Sequence, residues 1–168
     1  APVPAMAQSW IQSVAVHADY NAMSVTHDAA PARHLPVIVF DDRRHESTDR
    51  IARAVGIAMR GMDGPSPPHA EVMMSPMRVA WSFDDEWWSA TDACKRSPGS
   101  SLSSAARPAV VRYKLRVTAT LCRRDLALKR VVGFTDPNPN PESPVFVAFI
   151  SDMTSALLPS PQGANARH

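Results

Sequence analysis

Residues 110–134 of this 168-residue chain read VVRYKLRVTATLCRRDLALKRVVGF, and their first half alternates apolar with polar side chains. A period of two predicts a β-strand with one buried side and one solvent-facing side. The apolar side comprises Val111, Tyr113, Leu115, Val117, Ala119 and Leu121. The polar side comprises Arg112, Lys114, Arg116, Thr118 and Thr120. We therefore predict a strand over residues 109–122, a turn at Arg123-Arg124-Asp125, and a returning strand over residues 127–134 that completes a hairpin.

The same stretch concentrates the positive charge of the chain. It contains seven lysine and arginine residues but only one acid, so its net charge is +6, whereas the whole chain carries +2. A localised basic surface indicates an anionic partner, such as a phosphate group, lipid headgroups or an acidic protein. The alternative is a solvated strand face that prevents edge-to-edge pairing. The candidate residues for binding an anion or partner are Arg112, Lys114, Arg116, Arg123 and Arg124.

The position of Tyr113 bears on nucleic-acid binding. Sheets that bind RNA present aromatic side chains on the same face as their basic residues, so that bases stack on the rings. Alternation places Tyr113 on the apolar side, opposite Arg112 and Lys114. This arrangement argues against base stacking, whereas contact with the phosphate backbone requires only the charge.

The remaining patterns complete an α+β fold. We predict four to five strands in a mostly antiparallel sheet, with two helices packed on one face. The additional strands are predicted over residues 12–20, 35–40 and 77–83. For the first of these the alternative is a short helix, which the spacing of Trp10, Ile11 and Val14 also fits. One helix begins near Ser47 or Thr48 and ends by Gly61, and the second is capped by Ser143 and begins at Pro144. Residues 84–106 are predicted to form a surface loop with one helical turn.

Length and composition are those of a single globular domain. We predict one domain over residues 1–168, with loose termini at residues 1–9 and 160–168. A chain of this size can bury a core without metal or disulfide support. No run of apolar residues approaches the roughly 18 that a transmembrane segment needs.

The two cysteines, Cys94 and Cys122, can form one disulfide or none. Alternation directs Cys122 outward, and Cys94 is predicted to lie in a polar loop. Two exposed cysteines form a bridge more often than two core thiols do. Their spacing fits no zinc site. The small-residue pattern Ala5-Met6-Ala7 resembles a signal-peptidase site, and we therefore favour a processed extracytoplasmic (periplasmic) or organellar protein.

Acidic residues follow two of the predicted strands, at Asp41-Asp42 and at Asp84-Asp85. If those strands are neighbours, the carboxylates could hold one or two hard cations, which is the arrangement of a metal-dependent hydrolase. The alternative is that turns favour aspartate. The adjacent tryptophans Trp87 and Trp88 are candidates for partner contact, although core packing is the competing interpretation.

No coherent catalytic set is evident, and no cofactor is expected. The leading hypothesis is a non-catalytic accessory or assembly subunit of a larger protein complex, which contacts other subunits through its proline-rich loops, Trp87, Trp88 and the basic strand. The alternative is a binding module for an anionic partner, either nucleic acid or lipid headgroups. The third hypothesis is a metal-dependent hydrolase that uses Asp41, Asp42, Asp84 and Asp85.

Overall fold

The computed structural model describes residues 9–23, 25, 36–40, 45–60, 76–83, 89–95, 114–136 and 140–158. The described strands are β1 (Trp10–Val16), β2 (Val37–Phe40), β3 (Met77–Ser82), β4 (Leu115–Arg123) and β5 (Leu126–Thr135). The described helices are α1 (His45–Arg60), α2 (Ala90–Lys95) and α3 (Pro144–Leu157).

The strands form one mixed sheet in the order β1-β5-β4-β3-β2. Strands β2 and β3 are parallel and are connected through α1, because a parallel pair requires a crossover. The other three pairings are antiparallel. The prediction of an α+β fold with a mostly antiparallel sheet is confirmed, and β4 and β5 form the predicted hairpin.

The main core lies between one face of the sheet and the helices α1 and α3. We call this the first face of the sheet and the opposite one the second face. Leu115, Val117 and Leu121 of β4 are all buried there, as their alternation predicts. Trp81 of β3 is fully buried, and its Nε1 donates a hydrogen bond to Met59 Sδ of α1 at 3.3 Å. This contact fixes α1 against the sheet.

Local signals define α3 as predicted. The Ser143 hydroxyl accepts a hydrogen bond from the Val145 backbone N–H, and Pro144 occupies the first turn. Such a cap satisfies a backbone donor that the helix itself leaves without a partner. The predicted apolar stripe is buried throughout and comprises Phe146, Phe149, Ile150, Met153 and Leu157.

Several predicted boundaries differ from those observed. Strand β1 covers Trp10–Val16 rather than residues 12–20, because Trp10 stacks on Phe134 while His17 begins a turn. Helix α1 begins at His45, before the predicted caps. Residues 84–106 were predicted to be a surface loop with one helical turn, and the described part of this range contains the six-residue helix α2. Its residues Ala90, Ala93 and Cys94 are buried, so the surface prediction was wrong there. The loose termini were predicted at 1–9 and 160–168, of which Ser9 alone is described.

The second face of the sheet differs most from expectation. Alternation predicted a wet face, yet Thr118 and Thr120 are only 5% and 0% exposed, and Cys122 is fully buried. Cys94 is also fully buried, in α2, so the expectation that both cysteines are exposed was wrong. Helix α2 covers this end of the face, where a second apolar cluster comprises Ile38, Phe40, Ala80, Ala90, Cys94, Cys122 and Ala127.

Candidate functional site

The predicted basic residues of β4 divide into two groups along the strand. Lys114 and Arg116 lie at its beginning, whereas Arg123 and Arg124 lie at the hairpin turn. At about 3.3 Å per residue, roughly 23 Å of strand separates Arg116 from Arg123. Arg112 lies outside the described residues. The structure therefore does not bring the predicted set together as one site.

The strand register brings two aromatic rings to the first group of bases. Phe134 of β5 lies opposite Arg116 of β4, and Trp10 of β1 lies opposite Phe134. Residues directly opposite one another in antiparallel strands share a face of the sheet. The Trp10 and Phe134 rings stack with their centroids 5.4 Å apart. We name Trp10, Lys114, Arg116 and Phe134, on the second face of the sheet, the cation–aromatic surface.

Lys114 connects the charged and aromatic parts of this surface. Its Nζ lies 5.6 Å from the centroid of the Trp10 ring and 3.3 Å from Asp136 Oδ1. An ammonium group over the face of an indole is attracted by the electron density of the ring. The pair with Asp136 is partly exposed, and such pairs add little to the stability of a fold.

Arg130 of β5 is a buried basic residue on the same face of the sheet as the cation–aromatic surface. It pairs with Thr120 in the strand register and is 7% exposed. Burial, and to a smaller extent the positive charge of Arg116, lower the pKa of Arg130 to about 10. Both effects disfavour a cation, so a negative charge placed beside Arg116 would relieve part of this penalty.

The sequence analysis did not identify Trp10 as a site residue. Its neighbours Phe134 and Lys114 are more than 100 residues away in the chain, and pairing between β1 and β5 brings them together. The only local signal was a large aromatic residue at the start of an uncharged, alternating segment. That signal indicates a strand but does not specify its neighbour.

A disulfide between Cys94 and Cys122 fastens α2 to β4, with Cα atoms 5.6 Å apart. Beside it, the buried Arg78 guanidinium of β3 donates a hydrogen bond to the Cys94 carbonyl oxygen. Burial lowers the pKa of Arg78, whereas the negative charge of Asp125 opposes that shift. The bridge that the sequence left open is therefore present, and it stabilises the layer that covers the second face.

The remaining candidate residues, Trp87, Trp88, Asp41, Asp42, Asp84 and Asp85, lie outside the described residues, so their roles stay predictions. Among the residues that are described, no group of three or more histidine, cysteine or acidic side chains could hold a metal ion. None of the helices in this part of the chain has the length and apolar composition that a membrane span requires.

Comparison with known proteins leaves the family open. No family model matches the chain, and no curated protein matches it. One similar solved structure is the PelC dodecamer from Paraburkholderia phytofirmans, with 12% identity, a TM-score of 0.42, and coverage of 90% of this chain and 99% of that chain. A variant of that dodecamer has 12% identity, a TM-score of 0.38, and coverage of 90% and 98%. Similarity of this degree carries no inference about function.

Proposed function

We propose that this protein is a non-catalytic accessory subunit that binds an acidic segment of a partner protein through the cation–aromatic surface. One observation carries the proposal: Lys114 and Arg116 lie on the same face of the sheet as the stacked rings of Trp10 and Phe134. Cations attract carboxylates, and flat rings provide apolar contact area at little cost in side-chain entropy. Interfaces between proteins are enriched in tryptophan and arginine for this reason.

The disulfide bears on where such a partner would be found. Disulfides persist in oxidising compartments and are rare in the reducing cytosol. The Cys94–Cys122 bridge therefore supports a protein of the periplasm or of an oxidising organelle. Partner proteins of the same compartment are the ones to test.

The test is the native mass of the tagged protein in extracts of its source, with identification of the chains that co-purify. We expect a mass well above 18.3 kDa for the native sequence. Arg116→Glu should release the partner, because it places a like charge opposite the acidic segment. Arg124→Glu makes the same change of charge at the exposed hairpin turn and should leave the complex intact. A native mass equal to that of the single chain would contradict the proposal, as would equal loss in both variants.

A second candidate function is binding of single-stranded nucleic acid. The position of Tyr113 argued against base stacking, but Trp10 and Phe134 share a face with Lys114 and Arg116 and can stack on bases. Fluorescence anisotropy with a labelled oligothymidine of about 16 nucleotides tests this function. Binding that weakens with salt and falls about tenfold in Trp10→Ala would favour nucleic acid. Binding to phosphatidylserine vesicles without binding to the oligonucleotide would favour lipid headgroups.

A further inference from the structure

Helix α2 buries little apolar surface against the second face of the sheet. It is six residues long, and isolated helices shorter than about 12–15 residues are marginal in water, so a helix of this length depends on its packing. The side chains that it buries are Ala90, Ala93 and Cys94, and it contains no larger apolar residue. Helix α3, by contrast, buries two phenylalanines, an isoleucine, a methionine and a leucine. The apolar contacts that hold α3 in place are therefore largely missing from α2.

The local polar contacts of α2 offset this shortage only in part. The Ser89 hydroxyl accepts a hydrogen bond from the Asp92 backbone N–H at 3.1 Å and so caps the first turn. Asp92 in the first turn and Lys95 in the last turn have the signs that the helix dipole favours. Each of these contributions is small, and together they do not meet the cost of nucleating so short a helix.

Two polar groups under or beside α2 favour contact with water. The Arg78 guanidinium donates to the Cys94 carbonyl oxygen, but this side chain is 1% exposed, and burial lowers the pKa of Arg78. The desolvation of a buried charge can exceed what its hydrogen bond contributes. Thr120, two residues before Cys122 on the same face, is fully buried, and its hydroxyl has no hydrogen-bond partner among the described residues. Opening of α2 would hydrate groups whose burial is unfavourable.

The main core, on the other face, contains no described residue of α2. The hydrogen bond from Trp81 to Met59, which fixes α1, belongs to that core, as does the apolar stripe of α3. Leu115, Val117 and Leu121 of β4 also pack there. Displacement of α2 would therefore leave the contacts of the sheet with α1 and α3 in place.

We infer that the Cys94–Cys122 disulfide is a redox switch, whose reduction releases α2 from the second face while the sheet, α1 and α3 stay folded. In the oxidised chain the bridge ties α2 to β4, so that any local opening is followed by closure. In the reduced chain the few contacts of α2 act alone and do not hold it. The switch operates whether or not the cation–aromatic surface binds a partner.

The reductant that operates this switch is a dithiol. One of its thiolates attacks a sulfur of the bridge, forms a mixed disulfide and releases the other protein sulfur as a thiolate. The second thiol of the reductant then displaces the remaining protein sulfur. The bridge thereby gains two electrons and two protons, and the dithiol becomes a cyclic disulfide. Because Cys94 and Cys122 are both fully buried, the first attack requires a transient opening of α2.

Amide hydrogen exchange of the full chain, before and after treatment with dithiothreitol in native buffer, tests the switch. The Ala93 amide, which donates to the Ser89 carbonyl oxygen, reports on α2. The Val79 amide, which donates to the Pro36 carbonyl oxygen at 3.0 Å, reports on the sheet. After reduction we expect Ala93 to exchange within about tenfold of the rate of an unstructured peptide, and Val79 to remain protected by at least about 100-fold.

A variant and a thiol reagent provide the controls. Cys94→Ala/Cys122→Ala cannot form the bridge, and its Ala93 amide should exchange rapidly with and without dithiothreitol. In the reduced native chain, iodoacetamide should modify Cys122 within about tenfold of its rate in the urea-unfolded chain, because α2 no longer covers this thiol. Oxidised glutathione, added without denaturant, should restore both the bridge and the protection of Ala93.

The outcomes distinguish a switch from a purely structural bridge. Loss of protection at Ala93, with protection retained at Val79, supports the switch. If the reduced chain protects Ala93 as before and its thiols resist iodoacetamide, α2 packs without the bridge and the inference is overturned. If reduction removes the protection of Val79 as well, the bridge holds the whole fold and not α2 alone. A bridge that dithiothreitol cannot reduce without denaturant would also overturn the inference.

Discussion

Gly133 of β5 lies where Phe149 of α3 and the backbone of β1 both approach the strand closely. A Cβ atom at this position would lie 2.8 Å from Phe149 Cζ and 2.9 Å from the Trp10 carbonyl oxygen. The ring could rotate away, but the backbone oxygen could not move without disturbing β1. We expect Gly133→Ala to lower the free energy of unfolding by about 1–3 kcal/mol, because overpacking forces neighbours to shift. Urea denaturation measures this, and an unchanged midpoint would contradict it.

Tyr20 provides a pH-dependent measure of local burial. Its ring lies 5.2 Å below Lys129 Nζ, and burial raises the pKa of Tyr20 above its usual value of 10.0. The neutral phenol is therefore favoured in the folded protein, and this stability is complete below the unfolded pKa and is lost as pH rises through the folded pKa. Tyr20→Phe keeps the ring beneath Lys129 and should lose less stability from pH 9 to about 11 than the native chain. If the unfolding free energies of Tyr20→Phe and of the native chain change equally over this pH range, the expectation is refuted.

At the scale of elements, α2 is only six residues long and is covalently tied to β4. A bridge between residues separated by 28 positions should stabilise the fold by about 3.5 kcal/mol through restriction of the unfolded chain. The double variant Cys94→Ala/Cys122→Ala should lose most of this stability. Its Ala93 amide, which donates to the Ser89 carbonyl oxygen, should exchange with deuterium faster.

Dithiothreitol provides the matched control for the disulfide. It should lower the unfolding midpoint of the native chain toward that of the double variant and leave the double variant unchanged. Equal midpoints of the native chain and the double variant, before reduction, would show that the bridge contributes nothing to stability.

At the scale of the whole molecule, one sheet connects the two apolar clusters. Alternate residues of β3 and β4 enter opposite clusters, so neither cluster can form without these strands. We therefore predict that the chain unfolds as a single domain. Near-ultraviolet and far-ultraviolet circular dichroism should show coincident transitions. Separate transitions would indicate that α2 and the second cluster melt independently.

The elements most accurately predicted were those whose determinants lie close together in the chain. Ser143 and Pro144 begin α3 through contacts within one turn, and alternation along Leu115 and Val117 indicates the buried side of β4. Of the candidate site, Lys114 and Arg116 were identified from sequence as bases on one face, but their aromatic neighbour Trp10 was not. Its position depends on which strand pairs with β5, and periodicity does not encode that choice.

By itself the sequence determined the α+β class, the β4–β5 hairpin and the α3 helix, because capping, turn formation and alternation act between neighbouring residues. Only the tertiary structure decided that α2 covers Cys122, that Trp10 joins Lys114, and that β1 is an edge strand of the described sheet. Alternation distinguishes the two sides of a strand, but burial of either side depends on what packs against it from elsewhere in the chain.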